Sequence, residues 1–224
     1  MTIKKEKKII LADLALLFVA LLWGGGFVAV KEAVNHIPPF YLISIRFGAS
    51  AILISLIYWK KLKEIQKEDL TIGILVGFFL FLGFAAQTSG AQFTSAGKSA
   101  FLTAVNVIIV PFAGWILYKN KLDSRTVIAA ILCLIGIAFL TLRAEATMNI
   151  GDILTLACAI AFAIHITLLG NYAKKVDPII LSITQMLTTS ILALICAILF
   201  EAFRELLAIK IAELHNSRPR TIVR

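Results

Sequence analysis

A chain of 224 residues that is 60% hydrophobic and only 16% charged is too apolar to stay in solution as a folded domain. Its formal charge of +9 would suit nucleic acid, yet the Lys and Arg residues fall in short clusters between apolar runs, as topology determinants do. Nucleic acid is therefore excluded as a partner in favour of the lipid bilayer, and apolar runs of about twenty residues predict an all-α, multi-pass helical bundle.

Residues 1–10, with Lys4, Lys5, Lys7 and Lys8, read as a cytoplasmic N-terminus, too short and too charged to be a cleaved leader. Spans are predicted at 11–30, 40–59, 70–90, 99–118, 126–142, 152–170 and 179–200, joined by short connections that make consecutive helices antiparallel neighbours. Lys60, Lys61, Lys63 and Lys67, then Lys119, Lys121 and Arg125, then Lys174 and Lys175 share the side of the N-terminus. The alternate segments hold only Lys31, Lys98 and Arg143, so the positive-inside rule puts the N-terminus in the cytoplasm of a cell membrane. Residues 201–224 keep helical apolar spacing at Phe203, Leu206, Leu207, Ile211 and Leu214. They carry basic residues on the side where the rule expects few, so they read as an amphipathic or aberrant tail. Cys133, Cys158 and Cys196 lie singly within apolar runs and read as small core residues; no metal site or cofactor is expected.

Shifting the chain against itself by 139 positions lays the first two spans on the sixth and seventh without a gap. Asp13 meets Asp152, Leu16 meets Thr155, Ala20 meets Ala159, Trp23 meets Phe162, Pro39 meets Pro178, Leu42 meets Leu181, and Arg46 meets Gln185. Five spans separate the copies, an odd number, so the second copy runs through the membrane inverted. The expected organisation is a five-helix repeat over 11–142 and the first two helices of an inverted second repeat over 150–200. Partners for spans three to five would occupy roughly 209–281 by the same spacing, past Arg224, which points to a truncated or frameshifted chain. A complete protein of five helices plus two is the alternative. Inverted repeats are a recurrent architecture of secondary transporters, with a solute site between the copies.

The run Trp23-Gly24-Gly25-Gly26-Phe27, then Lys31, Pro38-Pro39 and Arg46-Phe47, resembles the first helix pair of the EamA-type drug/metabolite transporters. Gln87 to Trp115 is similar to that family's third-to-fourth helix signature, and Gly151 to Pro178 to the start of its second repeat. The resemblance covers about residues 10–200 and implies ten spans in two five-helix repeats, both ends cytoplasmic, and export or exchange of small metabolites. Two departures stand out. Asn120-Lys121-Leu122 replaces an acidic residue before a basic one, and nothing after about Glu201 resembles the last three helices.

Several residues are candidates for a substrate pathway. Arg46 lies about 10 Å into its span at 1.5 Å per residue, where a charge needs a partner, a cavity or the interface. It reads as a substrate or gating charge, or as an interface anchor. Gly24 and Gly25, with Gly26, admit either a ligand or a closely packed helix, and the neighbouring Trp23 either stacks on a solute or packs. Pro111 interrupts the fourth span and frees the carbonyl of Val107 next to Asn106, a place for solute hydrogen bonds or a plain kink. His165 is a proton relay or a hydrogen-bonded packing residue. Gln87, Gln92 and Gln185 suit polar contacts between helices equally well. Asp13 and Asp152 are expected to cap their helices, and Gly73 and Gly77 to pack against another helix. Gly97-Lys98-Ser99 lacks the Walker spacing, so no nucleotide is expected.

The function these features support is a secondary transporter, an exporter of small metabolites or drugs, rather than an enzyme. No paired membrane aspartates, HExxH helix or GxSG motif is present. The alternative is a membrane scaffold or a half-transporter subunit, for which a homodimer is one way to complete the cavity.

Overall fold

In the computed structural model, which describes residues 2–119, 122–142, 148–202 and 210, the secondary structure among the described residues is helical. In chain order the helices are α1 (Thr2–Ala33), α2 (Pro39–Ile57), α3 (Lys67–Gly90), α4 (Ala96–Ala104), α5 (Asn106–Tyr118), α6 (Ser124–Leu142), α7 (Ile150–Tyr172) and α8 (Pro178–Cys196). A 3₁₀ turn at Lys61–Glu64 precedes α3, and a π-helical segment at Ala197–Ala202 extends α8. Six stretches are long and apolar enough to cross a membrane, with α4 and α5 together counting as one of them. The described apolar part of α6, Ser124–Cys133, is shorter. Large apolar side chains such as Phe18, Ile45, Leu56 and Ile116 face outward, an arrangement that hydrocarbon satisfies and water does not. The protein is an all-α, multi-pass membrane protein.

Two expectations change, and a third lies outside the described residues. The first helix begins at Thr2 rather than near residue 11, so residues 2–10 continue it instead of forming a separate N-terminal segment. The fourth span is two helices, and the break falls at Val105 rather than at Pro111, which lies inside α5. At the break the amide of Val105 donates to Leu102 O (3.3 Å) and that of Ile108 to Val105 O (3.0 Å), i to i+3 bonds that tighten the chain. Proline's crowding acts on the preceding turn, so the irregularity appears upstream of it. The tail from Phe203 onward, expected to be amphipathic, lies outside the described residues apart from Lys210.

The chain forms two compact units that do not follow the repeat boundaries. One comprises Met1–Ile37 and Leu82–Tyr172, the other Pro38–Phe81 and Ala173–Arg224, with α3 contributing to both. In the first unit α7 packs on α4 and α5. Gly83 and Gly90 of α3 let it approach Phe162 and Gly151 of α7, because a Cβ at either position would collide with those residues.

In the second unit α2 packs along α8. Phe40 lies against Phe200, the Ser190 hydroxyl donates to Ser44 O (2.9 Å), and Lys61, just past α2, reaches Asp177, just before α8. Rising numbers on one helix meet falling numbers on the other, so the two run antiparallel. These are the helices that the 139-position shift superimposes. Gly73 and Gly77 pack against α8 as expected: a Cβ on Gly73 would overlap Thr184, and one on Gly77 would lie 2.7 Å from the Gln185 carbonyl.

Candidate functional site

The polar groups of the first unit gather along α3, α4, α5 and α7. Gln87, buried on α3, donates from Nε2 to Thr103 Oγ1 of α4 at 3.1 Å. Thr103 Oγ1 in turn meets Cys158 Sγ of α7 at 3.5 Å. Asn106 is buried at the first residue of α5, and His165 is buried on α7. The hydroxyls of Thr88 and Ser99 are buried with no hydrogen-bond partner among the described residues. Hydroxyls and amides tolerate this depth because helix geometry already satisfies the backbone, and they remain able to hydrogen-bond a solute. Pro111 is half-buried one and a half turns after Asn106.

One end of this unit is electrostatically closed. Asp152 is fully buried, and its carboxylate accepts from Lys98 Nζ (2.6 Å), Thr94 Oγ1 (2.7 Å) and the Asn149 amide (2.9 Å). The Asp152 amide donates back to Asn149 Oδ1 at 3.0 Å. That reciprocal pair is a capping box, with Asn149 as the N-cap and Asp152 three residues on. Capping by Asp152 is thus borne out, and its ion pair with Lys98 is what sequence reasoning missed. Lys31 Nζ donates to the carbonyls of Ala91 (2.7 Å) and Gln92 (3.3 Å) at the end of α3, where the helix dipole favours a cation. Both basic residues here are therefore committed to internal partners.

Asp13 behaves differently from its repeat counterpart. It lies exposed in the interior of α1, which starts at Thr2, so it caps nothing. Trp23 is 72% exposed, and a Cβ on Gly24, Gly25 or Gly26 would meet nothing within 4 Å. Among the described residues no neighbour packs on this run, and α1 presents this face outward.

The second unit holds Arg46 and Gln185, each on the eighth residue of its helix, α2 and α8, and respectively half-buried and buried. At one end Lys61 Nζ binds Asp177 Oδ2 at 2.7 Å, and Glu64 lies 3.4 Å from the same ammonium. Asp177 also caps α8 by accepting from the amides of Ile179 (2.9 Å) and Ile180 (3.4 Å). The Lys61 hydrogen bond, followed by that of Ile179, holds the Asp177 carboxyl below its usual range, and Asp177 in turn raises Lys61. At the opposite end Glu201 accepts from the amides of Phe40 (2.9 Å) and Tyr41 (3.3 Å), capping α2 from another helix. Pro38 precedes α2 and offers no side-chain cap. A sequence signal for Glu201 exists only in hindsight: an α2 start without Ser, Thr, Asp or Asn.

The model of the EamA-like transporter family matches residues 10–142, more than half of the chain. The chain belongs to the EamA-like transporter family. Among similar proteins is an uncharacterized transporter of Archaeoglobus fulgidus, 33% identical over 182 residues that make up 81% of this chain and 56% of the relative. Another is the uncharacterized transporter YoaV of Bacillus subtilis, 25% identical over 196 residues, 84% of this chain and 67% of the relative. A crystal structure aligns with a TM-score of 0.59 at 21% identity, covering 82% of this chain and 65% of that one, which shows the fold alone. The EamA-like chain thus spans little more than half the length of the Archaeoglobus relative it matches.

Proposed function

We propose that this EamA-like chain forms the greater part of a secondary transporter that exports small organic solutes by alternating access between inverted repeats. The observation that carries the reading is the antiparallel packing of α2 and α8, since the two helices that superimpose in sequence run in opposite directions. Equivalent helices related by a two-fold axis in the membrane plane are the architecture from which alternating access follows. Candidate solute contacts fall into two sets: Gln87, Asn106 and His165, with Pro111 close by, in one unit, and Arg46 with Gln185 in the other. Trp23, Gly24 and Gly25 stand apart on the outward face of α1. The N-terminus faces the cytoplasm in this reading.

A second reading, a half-transporter subunit or membrane scaffold, is favoured by one observation, the share of the relatives' length that the chain spans. Flux in proteoliposomes separates the two. Reconstituted chain loaded with radiolabelled amino acids, nucleosides or amphiphilic cations is expected to release at least one above the protein-free rate. Release that Arg46→Ala and Asn106→Ala leave unchanged would remove those residues from the pathway, and no release of any probe would favour the subunit reading.

A further inference from the structure

The starts of α2 and α8 are equivalent under the 139-position shift, with Phe40 and Tyr41 matching Ile179 and Ile180. Each start leaves backbone amides that need an acceptor, and each finds a carboxylate, but of different origin. The Ile179 and Ile180 amides use Asp177, the N-cap of their own helix, at 2.9 and 3.4 Å. Pro38 stands at the matching position before α2 and caps nothing. Glu201 replaces the missing carboxylate from the far end of α8, with one oxygen on the Phe40 amide (2.9 Å) and the other on that of Tyr41 (3.3 Å). The π-helical winding of Ala197–Ala202 aims it there. A π turn holds one residue more than an α turn, which rotates position 201 by roughly 100° from where an unbroken α-helix would carry it.

The charge around the two carboxylates differs as well. Asp177 faces Lys61 at 2.7 Å, whereas among the described residues no ion pair includes Glu201. The helices packed on the Glu201 segment are α2 and α8. Their titratable groups nearest to it are Tyr41, whose amide it holds, and Cys196, which lies within reach of its charge. Arg46 is the next charged residue along α2. Phe40 and Phe200 supply an aromatic contact at 6.5 Å between ring centres.

We infer that Glu201 is a proton-operated clasp: ionised, it ties the start of α2 to the end of α8, and protonated, it lets that end of the pair part. A carboxylate accepts at both oxygens, whereas a carboxylic acid carries a hydroxyl donor on one of them. A proton taken up from water therefore sets donor against donor at one amide and breaks one of the two bonds. It also removes the negative charge that the positive end of the α2 dipole favours. At the opposite end Lys61 holds the Asp177 carboxyl below its usual range, so the same acidification leaves that bridge closed. The pair opens at one end only, the end that faces outside in the orientation proposed above. The inference rests on the geometry of these two helices and requires no transported solute.

Hydrogen exchange of the full 224-residue chain in lipid nanodiscs tests it, read amide by amide by mass spectrometry and corrected for the intrinsic effect of pH. The titration runs between about pH 8 and about pH 4, where carboxyl groups take up protons. Protection of the Phe40 and Tyr41 amides is expected to fall about tenfold on acidification while that of Ile179 and Ile180 stays constant. Glu201→Gln, neutral at every pH, is expected to show the low protection at Phe40 and Tyr41 throughout, with Ile179 and Ile180 reporting that the variant has folded. If that variant does not fold, the wild-type titration decides alone. Protection at Phe40 and Tyr41 that ignores pH, equal loss at all four amides, or a folded Glu201→Gln chain that still responds to acid would overturn the inference. A flux assay that fails while these amides respond to pH would sink the transporter reading and leave the clasp standing.

Discussion

Asp152 holds a full negative charge at zero exposure and is tolerated because three donors, one of them the Lys98 cation, surround it. Removing the cation alone is therefore worse than removing both charges. Lys98→Met is expected to cost about 3–5 kcal/mol, whereas Lys98→Met combined with Asp152→Asn recovers most of that loss. Thermal unfolding of the two single variants and the double variant in detergent yields the coupling energy. At the half-exposed Lys61–Asp177 bridge the effect is one of pH. Asp177 titrates below its ordinary 3.8, so its contribution is present above that value and fades as pH falls through the lower folded value. Lys61 titrates above its ordinary 10.5, so its contribution is present below that and fades as pH rises through the higher folded value. The stability lost in Asp177→Ala is accordingly expected to be constant between about pH 5 and pH 9 and to shrink outside that window, in melting curves recorded across pH. The sequence revealed that Asp152 starts a helix, because capping is local. It concealed the lysine partner, because that contact depends on how α4 and α7 meet in three dimensions.

Glycines of the same type have opposite meanings on different helices. Gly77 faces the α8 backbone, with the Gln185 carbonyl 2.7 Å and Thr188 Cβ 2.7 Å from where a methyl would sit. Gly77→Ala is expected to destabilise by about 1–3 kcal/mol, since backbone cannot step aside as a side-chain tip can. Gly25→Ala meets nothing and removes chain entropy from the unfolded state, so it is expected to be neutral or to stabilise by up to about 1 kcal/mol. Melting temperatures of the two variants in one detergent compare them directly. The Gly73 and Gly77 spacing made their packing readable in advance. The Gly24 to Gly26 run carries the same signal with no neighbour on it among the described residues, because spacing reports that a helix allows close approach and says nothing about whether a neighbour is there. The break at Val105 was equally hidden. Pro111 marked the helix as irregular, but the tight turn formed where the chain upstream relaxes.

Across the whole molecule, apolar length and charge clusters located the membrane-crossing helices to within a few residues, since both signals are local and strong. The opposite directions of α2 and α8 were implied by the repeat, while their direct packing and the grouping of the chain into units that cut across that repeat were not. The Lys61–Asp177 bridge brings the segment after α2 and the segment before α8 to the same end of their unit. Single-cysteine variants Lys60→Cys and Lys174→Cys are thus expected to react alike with a membrane-impermeant maleimide, blocked in intact cells and exposed in inverted vesicles. Opposite reactivity would break the inverted topology. The Glu201 cap adds a consequence for biogenesis. The amides that open α2 find their acceptor about 160 residues downstream, and at about 5–20 residues per second a ribosome takes roughly 8–30 s to supply it. Throughout that interval a nascent α2 sits in the bilayer without the Glu201 cap on its start, which marks a chain stalled before Pro178 as a ready target for membrane quality-control proteases.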